Sequence, residues 1–223
     1  MPAKNAIKAY VEDGYYHIYN RGVEKRAIFK DSQDYKVFLS YLKEYLQPPP
    51  KPKPITLTFG QSTFKTIVKP LRNYYRKIDL LAYCLMPNHF HLLVKQTTRN
   101  TIELFMRSLA TRYSSYFNKR YDRVGSLFQG PYKAVLVEQD DYLLHLSRYI
   151  HLNPGKDSPS RTTYSSYTDY LNLTNTSWLN KNTILSYFKT SQKVNFGDAL
   201  SYQSFVEDYM VDSKEIINDL LID

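Results

Sequence analysis

The chain has 223 residues, a length that allows one large domain or one domain with an extension. Its single cysteine excludes an intramolecular disulfide and a cysteine-based zinc site, and no apolar run approaches the roughly 20 residues of a membrane-spanning helix. The formal charge of +9 suits a polyanionic partner such as nucleic acid. The N-terminal residues lack the apolar region of a signal peptide, so we expect a cytoplasmic protein.

The first part of the chain predicts a strand, a helix and an insertion. Residues 14–20 alternate in polarity and predict the first strand, on which His17 is expected to be structural or to support a metal ligand. Residues 31–46 predict an amphipathic helix that is capped at its first or second residue. The proline-rich run 47–54 ends this helix and predicts a stiff spacer. We interpret residues 47–77 as an insertion with short β-like pieces.

Residues 80–96 predict a β-hairpin with its turn at residues 86–88, where proline and asparagine favour a tight reversal. Side chains alternate along a strand, so His89 and His91 point to one face and the apolar residues around them to the other. Two imidazoles on one face can form half of a site for a divalent cation. This spacing alone favours two histidines without a ligand, because any two histidines can fall two residues apart.

Residues 100–119 predict a second amphipathic helix, for which Thr101 is a candidate N-cap. Its polar face is basic apart from one glutamate. Such a face is usually only solvated, but basic residues beside aromatic rings also hold single-stranded nucleic acid. Five basic residues of the chain are therefore candidate DNA contacts: Arg21, Arg107, Arg112, Lys119 and Arg148.

Two further core elements follow, a strand at residues 132–138 and a helix that Asp140 or Asp141 opens and that stops at Pro154. The order strand, helix, strand, strand, helix, strand is that of a ferredoxin-like split βαβ sandwich, an α+β fold with an antiparallel sheet. Helices on one face of such a sheet leave the other face for a site or a further layer.

These patterns divide the chain into a tail (1–13), a core domain (14–155) and a C-terminal extension (156–223). The extension begins with a stretch rich in Ser, Thr, Asn and Tyr. Short helical patterns follow around residues 184–188, 202–210 and 214–221. They predict that the extension is partly helical.

Tyr149 and Asn153 lie four residues apart in the last core helix, so their side chains share one face. If this helix packs near the hairpin, a phenol and an amide oxygen converge on the same point as His89 and His91. Asn153 would then be the third ligand of a cation, and Tyr149 a nucleophile. The spacing also fits a core tyrosine followed by a C-terminal helix cap, and taken alone it favours that interpretation.

Two motifs in this order resemble a known family. MPNHFHLLV (86–94), followed by YIHLNP (149–154), resembles the HUH single-tyrosine transposases of the small insertion-sequence type, in particular their chromosomal relatives, the REP-associated tyrosine transposases. The segments YYHIYNRG (15–22) and GSLFQGPYKA (125–134) are similar as well. The similarity extends over about residues 14–155 and is interrupted by the insertion.

The resemblance implies that His89 and His91 are the metal-binding histidines, that Tyr149 is the nucleophile and that Asn153 completes the metal site. Members of the family bind Mg²⁺ or Mn²⁺, cut single-stranded DNA beside hairpins and form a 5′-phosphotyrosine whose reversal rejoins strands without ATP. The expected partner is single-stranded or hairpin DNA of a prokaryotic nucleoid. The small insertion-sequence transposases are dimers and some REP-associated members act as monomers, so the resemblance implies either a homodimer or a monomer.

The chemistry agrees with elementary properties of the groups. A free phenol has a pKa near 10, and a cation on a phosphate oxygen withdraws charge and favours attack at phosphorus. Imidazoles with an amide oxygen suit Mn²⁺ at least as well as Mg²⁺. Two alternatives stay open: a nucleic-acid-binding module of the same fold without catalysis, and a histidine-triad hydrolase. The latter requires a third alternating histidine, whereas position 93 is leucine.

Overall fold

The computed structural model describes residues 10–52, 54–60, 62–67, 71–155, 164–189, 201–208 and 213. Four strands form an antiparallel sheet in the order β4-β5-β1-β6. The strands are β1 (Tyr15–Arg21), β4 (Ile78–Met86), β5 (His89–Gln96) and β6 (Lys133–Val137). The helices around this sheet are α1 (Ser32–Leu46), α2 (Thr101–Arg120) and α3 (Asp140–Leu152). This connectivity and strand order are those of the ferredoxin-like sandwich, so the predicted fold class is confirmed.

Helices α1 and α2 cover one face of the sheet. Side chains alternate along β5, so Phe90, Leu92 and Val94 lie on that face, where all three are buried. Phe38 of α1 packs on Phe90, and its ring also meets Tyr113 of α2 edge to face. This aromatic core packs on the face of the sheet that α1 and α2 cover. Because side chains alternate along β5, His89 and His91 point to the opposite face.

A buried carboxylate joins α1 to the C-terminal end of α2. Asp34 is fully buried and accepts hydrogen bonds from the hydroxyls of Tyr116 and Tyr121, at 2.9 and 2.8 Å, and from the backbone N–H of Lys30 at 2.8 Å. The guanidinium of Arg120 lies 2.6 Å from the same carboxylate. The four donors satisfy a charge that would otherwise be costly to bury.

Helix α3 and the C-terminal extension form a third layer on the other face. The extension contributes α4 (Tyr167–Tyr170), α5 (Asn182–Lys189) and α6 (Tyr202–Glu207). The outer edge of β4 is paired by this extension: Leu85 donates to the carbonyl of Tyr164 and Ser166 donates to that of Tyr83, at 2.9 and 3.0 Å. The face that the sheet pattern left open therefore holds a further layer.

Helix starts follow local capping. Asp31 accepts hydrogen bonds from the backbone of Gln33 and Asp34, as predicted for α1. The prediction for Thr101 is wrong, because this residue is the first of α2 and bonds to the hydroxyl of Thr98. The N-cap is Asn100, which has a left-handed backbone and makes no side-chain capping bond.

The remaining sequence predictions have mixed outcomes. The expected tail is packed in its last part, because Val11 bonds to the hydroxyl of Tyr16 and its carbonyl accepts from Gln96. The helical patterns near 184–188 and 202–210 correspond to α5 and α6. The pattern at 214–221 lies outside the described residues. Within the described part of the chain, no helix is long and apolar enough to cross a bilayer.

Candidate active site

A cleft of about 460 Å³ opens at one end of the sheet, where β1 ends, β5 begins and α3 ends. Its lining comes from three strands, the loop before β6 and α3. The lining residues are Tyr19, Asn20, Arg21, Asn88, His89, His91, Gln129, Pro131, Lys133 and Tyr149. The cleft thus collects imidazoles, a phenol and basic side chains from distant parts of the sequence.

The two-residue turn between β4 and β5 is held by backbone hydrogen bonds. The carbonyl of Pro87 accepts from the N–H groups of Ile28 and Phe29, at 2.7 and 3.0 Å, and that of Asn88 accepts from Gly22 at 2.8 Å. Gly22 is required there, because a Cβ at this position would collide with the carbonyl oxygen of Arg26. The loop after β1 therefore fixes the point at which β5 begins.

His91 is oriented by a second histidine. Its Nδ1 lies 2.9 Å from Nε2 of His17 on the neighbouring strand, and the two rings stack at an angle of 18°. Burial lowers the pKa of His91 well below its usual value, and the neighbouring His17 and His89 act in the same direction. A neutral His91 that donates from Nδ1 keeps the lone pair of its Nε2, which is the form that binds a metal.

His89 brings two acceptor atoms together. Its Nδ1 lies 2.6 Å from Oδ1 of Asn88, so the ring proton of a neutral imidazole sits on Nδ1. The bare Nε2 then faces Oδ1 of Asn153 at 3.3 Å, and both atoms offer lone pairs. Burial lowers the pKa of His89 and outweighs the opposite effect of Asn153, which favours the neutral ring.

These donors fit a divalent cation. Two acceptors that face each other at 3.3 Å are stabilised by a positive charge placed between or beside them. No group of three or more His, Cys, Asp or Glu in the described ranges could hold a metal. If the two imidazoles hold a cation, the amide oxygen of Asn153 beside His89 could serve as a third donor. Imidazole nitrogens with an amide oxygen suit Mn²⁺ or Mg²⁺.

Tyr149 lies on the same side of the sheet as both imidazoles. Its ring is half-buried, lines the cleft and meets His91 edge to face with 5.6 Å between the ring centres. Asn153 follows one helical turn later, where its backbone N–H caps α3 by donating to the carbonyl of Tyr149. Asn153 is thus both a helix cap and a neighbour of His89, so the two interpretations of this residue are compatible.

The structure separates the predicted DNA contacts. Arg21 lines the cleft and donates to Gln129 at 3.0 Å. Arg107 and Lys119 are exposed on α2, which lies on the other face of the sheet. Arg112 is paired with a carboxylate of α1 at 2.7 Å. The prediction for Arg148 is wrong, because this residue is buried and bonds to the extension.

Sequence reasoning missed Lys133, which lies at the start of β6 and lines the cleft. Its partner in the register is Tyr19, which is itself opposite His91 on the other neighbouring strand. Strand alternation would have placed Lys133 on the histidine face once β6 was known to pair with β1. That pairing is a tertiary fact that no local pattern contains.

Comparison with known proteins agrees with this architecture. Residues 56–153 match the family described as IS200-like transposases. No curated protein matches the sequence. A solved REP-associated tyrosine transposase bound to a REP hairpin is similar with a TM-score of 0.50 and 12% identity, over 79% of this chain and 97% of that chain. A structure described as a transposase from Deinococcus radiodurans gives a TM-score of 0.38 at 14% identity, over 66% and 95% of the two chains.

The matched segment contains the first motif that carried the resemblance and all but the last residue of the second. His89, His91, Tyr149 and Asn153 all lie within residues 56–153. The resemblance to IS200-like transposases is therefore confirmed, and the similarity to the REP-associated structure shows the same fold.

Proposed function

We propose that this chain, with the fold and the sequence pattern of an IS200-like transposase, is a metal-dependent enzyme that cleaves and rejoins single-stranded DNA. The intermediate is a 5′-phosphotyrosine, and the expected substrates are sites beside hairpins. One observation carries the proposal: His89, His91 and Tyr149 line one cleft and Asn153 lies 3.3 Å from His89, although these residues come from two distant segments. All four residues belong to one chain, so a single copy contains a complete set.

In this mechanism His89, His91 and Asn153 would hold Mg²⁺ or Mn²⁺. The bound cation would withdraw charge from a phosphate oxygen of the scissile linkage. The Tyr149 oxygen attacks phosphorus and loses its proton, while the bond to the 3′ oxygen breaks and that oxygen leaves as a free 3′-OH after protonation. The reverse displacement rejoins the strand, because the phosphotyrosine linkage conserves the energy of the broken ester.

The basic residues at the cleft support a DNA substrate. Arg21 and Lys133 flank the imidazoles and can pair with phosphates on either side of the cleaved linkage. The similar REP-associated structure was solved with a REP hairpin, which makes hairpin DNA the first substrate to test.

The wild-type chain should form an adduct with a labelled hairpin oligonucleotide that survives a denaturing gel, with Mn²⁺ but not with EDTA. Absence of any adduct across hairpins taken from the DNA that flanks the gene would refute the proposal.

His17 gives a separate prediction for the metal site. Replacing His17 by phenylalanine fills the buried position but removes the acceptor for Nδ1 of His91. The affinity for Mn²⁺ should fall about 10- to 100-fold, as is typical for partners that orient a metal ligand. Titration calorimetry with Mn²⁺ in the absence of DNA measures this directly. His17→Gln keeps an acceptor oxygen and should retain most of the affinity.

A matched control is available in the third layer. His145 is also buried and bonds to Ser213, away from the cleft. His145→Phe makes the same chemical change and should leave Mn²⁺ binding unaltered in protein that melts cooperatively. If His17→Phe binds Mn²⁺ as tightly as the wild type, His17 does not orient the ligand.

A further inference from the structure

The insertion forms an exposed β-hairpin outside the four-stranded sheet. Strands β2 (Pro54–Phe59) and β3 (Ser62–Ile67) pair with each other, and every side chain described from 54 to 66 is exposed. We call residues 47–77 the basic arm. A two-stranded hairpin is at best marginally stable in water unless something covers it. We therefore expect that a binding partner covers the basic arm.

Four exposed apolar residues of the two strands share one face. Ile55, Leu57 and Phe59 alternate along β2, and Phe64 on β3 is directly opposite Leu57. Phe59 is 75% exposed and Phe64 is 57% exposed. The opposite face carries Lys65 with Thr56, Thr58 and Thr63. Phe59 and Phe64 occupy diagonal positions on this face, and each exposed ring offers a surface on which an unpaired base can stack.

The charge of the basic arm identifies the class of partner. Between residues 47 and 78 the sequence contains seven of the 30 Lys and Arg residues and none of the 21 Asp and Glu residues. This seventh of the chain therefore carries most of the net charge of +9. Described members of the set are exposed: Lys51, Lys65, Arg72, Arg76 and Lys77. Two copies of so basic an arm repel each other, whereas a polyanion is attracted.

We propose that the basic arm binds single-stranded DNA, with bases stacked on Phe59 and Phe64 and phosphates paired with the surrounding lysines and arginines. The inference deepens the proposed function, because it rests on DNA as the substrate and adds a second contact region. Stacking on aromatic rings in a basic setting tolerates any sequence. The basic arm thus supplies affinity, and recognition of a particular site is left to the cleft.

The position of the basic arm separates it from the cleft. The arm leaves α1 after Leu46, and Tyr74 returns to bond with the carbonyl of Tyr45 at 2.8 Å. β4 then starts at Ile78, and its residues Cys84 and Met86, six and eight residues later, pair with His91 and His89. At about 3.4 Å per residue, the base of the arm lies about 20–27 Å from the histidines along the sheet. DNA bound at the base of the arm is therefore away from the linkage that is cleaved.

The test measures binding of the full chain to a fluorescent oligothymidylate that forms no hairpin. The double substitution of Phe59 and Phe64 by alanine should weaken binding at least about 10-fold, since each lost stack is worth roughly 5- to 150-fold. Lys65→Gln should reduce the slope of affinity against salt by about 0.7 for the lost phosphate contact. The control replaces Val124 and Leu173, which are 97% and 71% exposed outside the arm, by alanine and should bind as the wild type does.

The possible results decide between partners. Unchanged DNA affinity in the Phe59 and Phe64 variant overturns the inference. Loss of a wild-type dimer in sedimentation velocity with unchanged DNA affinity also overturns it and assigns the apolar face to a second copy. If binding is weakened while saturating hairpin DNA still gives the tyrosine adduct, the inference is supported. If the wild type forms no adduct at all, the proposed function fails, but arm-dependent binding would still support the role of the arm.

Discussion

Replacing Tyr149 by phenylalanine should abolish the covalent protein–DNA adduct. The substitution keeps the ring that packs edge to face on His91 and removes only the oxygen that we propose as the nucleophile. We expect adduct formation to fall by at least about 10³-fold, which corresponds to roughly 4 kcal/mol of barrier. The measurement is a denaturing gel of labelled hairpin DNA after incubation with Mn²⁺.

Two controls separate chemistry from folding and binding. Tyr142 lies seven residues earlier on α3, about 10 Å from Tyr149 along the helix, and is also half-buried. Tyr142→Phe makes the same change at a distance from the cleft and should form the adduct like the wild type. Tyr149→Phe should still retard hairpin DNA in a native gel. An adduct formed by Tyr149→Phe within tenfold of the wild-type rate would show that another group is the nucleophile.

The second large effect is on stability. Asp34→Ala should lower the free energy of unfolding by about 3 kcal/mol, because it leaves two phenols and a guanidinium without their shared acceptor in the interior. The side chain of Arg120 is 25% exposed and regains some hydration, which places the effect at the lower end of the range for broken buried pairs. For a chain of this size the loss corresponds to a melting temperature lower by roughly 6–12 °C.

An exposed ion pair provides the matched comparison. Glu44 and Arg112 also join α1 to α2, but their side chains are 47% and 27% exposed. Glu44→Ala should cost less than about 1 kcal/mol, because water screens the pair and solvates Arg112 when it is broken. Calorimetry on both variants checks the difference. Equal melting temperatures for Asp34→Ala and Glu44→Ala would mean that the buried network contributes no more than a surface pair.

Local patterns predicted much of the core. The alternation in β5 and the two-residue turn before it fixed which way His89 and His91 point, because these features depend only on neighbouring residues. The four-residue spacing in α3 likewise placed Tyr149 and Asn153 on one face. The approach of α3 to the start of β5 could not be derived from spacing, and only the family resemblance suggested it.

The sequence did not predict which basic side chains are buried. Arg148 stands next to Tyr149 and resembles a surface cation, yet its guanidinium donates to the carbonyl of Phe205 at 2.7 Å and to Ser213 at 2.9 Å. Its partners come from the extension, more than fifty residues later. Lys133 was missed for the related reason that its neighbours on the histidine face depend on strand pairing. In both cases long-range contacts decide the role of a basic residue.

The pairing of the extension with β4 has a consequence for how the chain can vary. β4 is an edge strand of the sheet, and its backbone makes hydrogen bonds with Tyr164 and Ser166. Without these partners, the same backbone groups could pair with a strand of another molecule. A chain that ends at Gly155 would keep every residue that lines the cleft. It would also expose the edge of β4 to strand pairing with another molecule. We therefore expect the extension to protect this edge from aggregation, a role unrelated to chemistry on DNA.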